Sequence, residues 1–140
     1  MKENYLSVHG SRTLTDERVK ILILEAIDKY KTTAIVTHGE PEGVCEVARK
    51  LCKDMAMPLK LHYLDFSKCR GAFENRSKKV FKDAEIAIII HDGISKGTSN
   101  ELQMCIKYKI KHEYHKLQPS EHKVSVGFAE DWDLGLKDML

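Results

Sequence analysis

No two cysteines of this chain form a Cys-x-x-Cys pair: Cys45, Cys52, Cys69 and Cys105 stand apart. With no signal peptide to argue for export, that spacing points to reduced thiols in a cytoplasmic protein. No apolar run approaches the length of a membrane span, so membrane partners are not expected. Charge of one sign is also missing. A formal net charge of +2 gives no bulk electrostatic attraction to nucleic acid. Repeats, low-complexity tracts and linkers are absent, and 140 residues suit one domain. What is present is ordinary for a globular protein, with 42% apolar and 31% charged residues. Lys78, Lys79, Lys82, Lys107, Lys109 and Lys111 read as solvated helix faces.

The central stretch is Ile86–Glu101. Five consecutive apolar residues (Ile86–Ile90) stop at His91-Asp92-Gly93, which is the pattern of a strand buried on both faces. A loop with Gly, Ser and Thr follows and leads into a helical pattern through Leu102, Met104, Cys105, Ile106 and Tyr108. The rest of the chain alternates in the same way. Tyr5–Val8 reads as a first strand, and a helix capped by Thr15 or Asp16 then runs to Tyr30. Ala34–Thr37 is a second strand, followed by a helix with Pro41 in its first turn and Val44, Val47, Ala48, Leu51, Cys52 and Met55 on one face. Leu59–Phe66 is a third strand, and Phe73–Ala84 is a third helix with Phe73, Val80, Phe81 and Ala84 on one side. His112–Leu117 is a fifth strand. Strands alternating with helices predict an α/β, Rossmann-like three-layer sandwich with a mostly parallel sheet of about five strands. The motif-bearing core covers residues 5–117. The tail, 118–140, contains a candidate strand at Lys123–Phe128, a candidate helix at Asp131–Leu140 and a lone Trp132 that anchors it.

In an open parallel sheet the loops leaving the strands gather at one edge, and ligands bind there. Three exits carry glycine: His9-Gly10-Ser11-Arg12, His38-Gly39-Glu40-Pro41-Glu42-Gly43 and the loop from His91 to Thr98. Glycine permits a tight chain path beside a ligand, and a helix start offers free amides and a positive dipole end. The shared edge is therefore expected to hold an anion, most often a phosphate, with Gly97, Thr98 and Ser99 at the helix start. His9, His38 and His91, with Asp92, also invite a zinc reading. Strand register decides where each ring points, so hydrogen bonding to ligand or loop is preferred and no metal is assigned. Cys45 in a helix's first turn reads either as a reactive thiol or, preferably, as buried core with Cys52.

Four segments resemble the SLOG superfamily, which includes the LOG enzymes, the DNA-processing protein A fold and the small YspA/YpsA-like proteins. They are Gly10-Ser11-Arg12, His38-Gly39 with Gly43-Val44, Arg70-Gly71 with Asn75-Arg76, and Gly97-Thr98-Ser99-Asn100-Glu101. The compact size and the Gly-Ser-Arg start look most like the YspA-related branch. The resemblance implies a Rossmann-like domain binding a nucleotide or nucleotide-derived small molecule, without further cofactor. Gly10, Ser11, Arg12, Gly39, Gly43, Asn75, Gly97, Thr98 and Ser99 would contact the ligand. By the same resemblance, Glu101 and Arg76 are the catalytic pair of a nucleoside-monophosphate phosphoribohydrolase. Glu101 would stabilise an oxocarbenium-like centre or activate water, and Arg76 would orient Glu101 or hold the substrate. A competing reading makes Glu101 only the capping-box partner of Thr98. Asp92-Gly93-Ile94-Ser95-Lys96, Gly39-Glu40-Pro41 and Cys45 depart from the family pattern around the catalytic position. Binding is therefore the first expectation and hydrolysis the alternative. A DNA-associated role rests on kinship alone, against the near-neutral charge. Related domains commonly pair through helices, so a homo-oligomer is compatible with the resemblance.

Overall fold

The computed structural model describes residues 3–63 and 71–119. Among these residues nine elements alternate: β1 (Tyr5–Gly10), α1 (Glu17–Lys29), β2 (Ala34–His38), α2 (Val44–Met55), β3 (Leu59–His62), α3 (Ala72–Lys82), β4 (Ile86–His91), α4 (Lys96–Lys107) and β5 (His112–Lys116). The candidate strand and helix of the tail, Trp132, Arg70 and the end of the expected third strand lie outside the described residues.

The fold is α/β and Rossmann-like, with one five-stranded sheet in the order β3-β2-β1-β4-β5. Every pairing is parallel. Period-two alternation along the strands separates two cores. Leu6, Val8, Ile35, Ile86, Ile88 and Ile90 pack on α1 and α2 through Val19, Ile23, Ala48 and Leu51. Ala87 and Ile89 pack on the other face against Phe81, Met104 and Cys105 of α3 and α4. All six residues of β4 are buried, as its unbroken apolar run requires.

Local chemistry sets the ends of the elements. The Asp16 carboxylate accepts from the Arg18 amide at 3.0 Å and caps α1. α2 stops where Ala56 turns left-handed. Pro41 does not open α2: it lies in the preceding loop, and the helix starts at Val44 after Gly43. The reason is a tertiary contact. The Val44 amide donates to the Ser11 carbonyl at 3.2 Å, and Gly43, at φ 86°, turns the chain tightly past Ser11 and Arg12.

The fold has two consequences for function. β1 lies between β2 and β4, and the chain leaves it in opposite directions. Its C-terminal end is therefore the topological switch point of the sheet. The same alternation that sends Leu6 and Val8 into one core sends Ser7 and His9 to the α3/α4 side, where His9 stacks on Phe81 with ring centroids 4.1 Å apart.

Candidate functional site

At the switch point the exits of β1, β2 and β4 enclose a cavity of about 770 Å³. Gly10, Ser11 and Arg12 form one wall, and Ser95, Gly97 and Thr98 of the α4 start form another. His38 and Glu40 enter from β2 and its exit loop, Arg76 and Ser77 from α3, and Glu101 from the second turn of α4. Among the described residues the α4 start has no side-chain cap, so its first-turn amides remain available as donors.

Seven of the residues expected at the site share this cavity: Gly10, Ser11, Arg12, Arg76, Gly97, Thr98 and Glu101. The other four do not line it. Gly43 lies behind the wall, where an added Cβ would come within 2.3 Å of the Arg12 Cα. Gly39 packs beside Tyr63. Ser99 turns to the His91 ring, with Oγ to Nε2 at 3.2 Å, and Asn75 is half-buried on α3.

Glu101 is not a capping-box partner. α4 starts at Lys96 after the cap residue Ser95, so Thr98 itself holds the capping-box position and Glu101 lies three residues beyond it. Its Oε2 instead meets His9 Nδ1 at 2.7 Å, His38 Nε2 at 2.7 Å and the Ser77 hydroxyl at 2.9 Å. Burial opposes ionisation of Glu101, but charge and hydrogen bonds from His9 and His38 outweigh it and hold the carboxyl well below its usual range. Burial pushes the His9 imidazole below its ordinary value, against the pull of Glu101. We take the carboxylate as the charge this cluster keeps, because three donors converge on one oxygen. The Glu101 side chain is 9% exposed, so this charge touches the cavity.

Arg76 pairs with Glu40 rather than orienting Glu101, Nη1 to Oε2 at 3.0 Å. Glu40 bridges to Arg12 through its other oxygen at 2.8 Å. Burial disfavours the Glu40 charge, but the two guanidinium groups more than offset it and lower its pKa. Arg49 holds the Glu40 backbone carbonyl and fixes this loop. The Arg76 Nε is buried and has no partner among the described residues, although the residue lines the cavity. An orphaned buried N–H on a cation calls for an acceptor.

His91 and Asp92 stay out of this cluster. His91 contacts the Tyr114 hydroxyl at 2.8 Å and the Ser95 carbonyl at 3.0 Å. Asp92 accepts from the Ile94 and Ser95 amides at 2.9 and 2.8 Å and from the Thr13 and Ser95 hydroxyls at 2.7 Å. It thereby ties the β1 exit to the α4 start. Burial raises its pKa, yet these bonds outweigh burial and hold it well below the usual carboxylate range. The stability Asp92 lends is thus complete above the unfolded value of about pH 4 and is lost as pH falls through the lower folded value. Asp92→Ala is expected to cost about 2–4 kcal/mol in urea unfolding at pH 7, and the deficit should shrink as pH drops below about 4. Cys45 is buried core, with its thiol pushed up to about 11 mainly by burial, so the reactive-thiol reading is overturned.

Sequence reasoning missed Ser7, Glu40 and Ser77. Ser7 bonds His9 Nε2 at 2.9 Å and was legible as the polar neighbour two residues away on a strand. Arg76 and Ser77 are buried polar residues on α3, while Phe73, read on one side of the helix with Val80 and Phe81, is 58% exposed at the cavity. α3 thus turns polar groups inward over its first half because it faces the cavity there.

Among the described residues no helix is long and apolar enough to cross a membrane. Comparison with protein-family models, curated proteins and solved structures finds no match to this chain.

Proposed function

We propose that the protein binds a phosphorylated, nucleotide-type small molecule in the switch-point cavity, with the phosphate on the first turn of α4. The observation that carries this reading is the buried Arg76 guanidinium, whose Nε lacks a partner among the described residues, in the same cavity as an uncapped helix start. Ser11 and Arg12 close the opposite wall. The volume is of the size that holds a drug-sized ligand. Calorimetric titration with a panel of nucleoside phosphates and ADP-ribose derivatives should find a ligand in the micromolar range. Absence of binding at millimolar concentration by folded protein overturns the proposal.

Gly97→Ala gives a sharper test. A Cβ at Gly97 meets nothing within 4 Å, so alanine should leave the fold intact or stabilise the helix by about 0.5–1 kcal/mol. A phosphate resting on the α4 amides would meet that methyl group, and affinity is expected to fall about tenfold or more at unchanged or higher Tm. Unchanged affinity would remove the phosphate from α4.

A second reading makes the protein an N-glycosidase acting on a nucleoside monophosphate. The ionised, cavity-facing Glu101 favours it, as a carboxylate suited to stabilise an oxocarbenium-like centre. Arg76 would then hold substrate after exchanging Glu40 for the phosphate. Release of free base by the wild type and its loss in a folded Glu101→Gln variant is the expected result. No base release from any nucleoside monophosphate leaves the binding function alone.

A further inference from the structure

The geometry points to a divalent metal site formed by His9 Nδ1, His38 Nε2 and the Glu101 carboxylate, opening into the cavity. These three atoms come from β1, β2 and α4 and lie within 4.8 Å of one another, all on buried side chains. Two imidazoles and one carboxylate are a ligand set used for zinc with an open coordination position, and imidazole nitrogen also suits cobalt, nickel and iron. This inference concerns the metal alone and does not depend on which small molecule the cavity binds.

Distances support the assignment. Metal–nitrogen bonds of about 2.0–2.1 Å at a tetrahedral centre place two ligand atoms about 3.3 Å apart. His9 Nδ1 and His38 Nε2 are 3.3 Å apart. Glu101 Oε2 is 2.7 Å from each, so it needs to withdraw by roughly half an ångström, which rotation of a glutamate side chain supplies. As a set of hydrogen bonds alone the cluster is crowded. Two ring N–H groups and a hydroxyl would converge on one oxygen, with the ring nitrogens facing each other. A cation replaces both ring protons with bonds to one centre.

Outer partners fix two of the three ligands. Ser7 Oγ holds His9 Nε2 at 2.9 Å, Phe81 stacks on the same ring, and Ser77 holds Glu101 at 2.9 Å. His38 lacks this support. Ligation through Nε2 sends its proton to Nδ1, which is buried without a partner among the described residues. The site is therefore expected to bind zinc about ten- to a hundredfold more weakly than one with a complete outer shell.

The test is titration of the apo-protein with Zn2+ and Co2+. One equivalent per chain is expected, with the visible absorption of four- or five-coordinate cobalt. His38→Gln and Glu101→Gln, checked for folding by circular dichroism, should weaken binding about a hundredfold or more, beyond the cost of losing an outer partner. The surface control His115→Gln should not. Long-range proton–nitrogen NMR on the wild type removes dependence on the variants: zinc should shift the His9 Nδ1 and His38 Nε2 resonances together at one equivalent. Shifts confined to other histidines, or no binding at millimolar zinc, overturn the site. Zinc binding without any nucleotide binding would retain this site and reject the proposed function, and the reverse outcome would do the opposite.

Discussion

Gly43→Ala should lower the melting temperature by about 10 °C or more. Gly43 sits at φ 86° and ψ −150°, a backbone region that essentially only glycine occupies and that costs another residue about 1–3 kcal/mol. Steric overlap adds to this. A Cβ would lie 2.3 Å from the Arg12 Cα and 2.5 Å from the Ser11 carbonyl oxygen. Both are backbone atoms, so no side chain can swing aside. Relief requires moving the β1 exit away from the α2 start, which breaks the Val44–Ser11 hydrogen bond and opens the cavity wall. The combined cost is expected to reach about 3–5 kcal/mol. Urea unfolding with an unchanged m-value measures it. A loss below about 1 kcal/mol would mean that the two loops are not packed as described.

Glu101→Leu should cost about 2–3 kcal/mol, even though it replaces a buried charge with a hydrocarbon of similar size. Removing the carboxylate leaves His9 Nδ1, His38 Nε2 and the Ser77 hydroxyl without their shared acceptor. An unsatisfied buried donor costs about 1–3 kcal/mol. The two imidazoles recover part of it, because at 3.3 Å one can donate to the other once the carboxylate no longer competes for both. That recovery keeps the total below the sum for three lost partners. Glu101→Gln should cost less, since its amide oxygen still accepts. Equilibrium unfolding of both variants checks the order, and a more stable Glu101→Leu would show that the carboxylate is a net burden on the fold.

Alternation of strands and helices, and the packing of the sheet on both faces, were legible in the apolar pattern. Ile86–Ile90 has no polar residue to spare for solvent, and helices on both faces are the arrangement that covers it. Three glycine-bearing strand exits, coupled to parallel topology, placed Ser11 and Thr98 around one cavity. The partners of Glu101 and Arg76 were not legible. Glu101 reaches His9 across 92 positions and Arg76 reaches Glu40 across 36, and no local periodicity reports contacts of that separation. The three strand-end histidines looked equivalent in sequence, yet only two meet. His91 faces Tyr114 on the neighbouring strand, whereas His9 and His38 converge on α4.

By itself the sequence determined that strands and helices alternate, that the sheet is mostly parallel and that its glycine-bearing exits share one edge. These follow from short-range periodicity and turn chemistry. Tertiary structure alone decided that two imidazoles and a carboxylate share one buried point and that Arg76 answers to Glu40. A side chain's direction depends on strand register and helix rotation, and both are set only when the whole core packs.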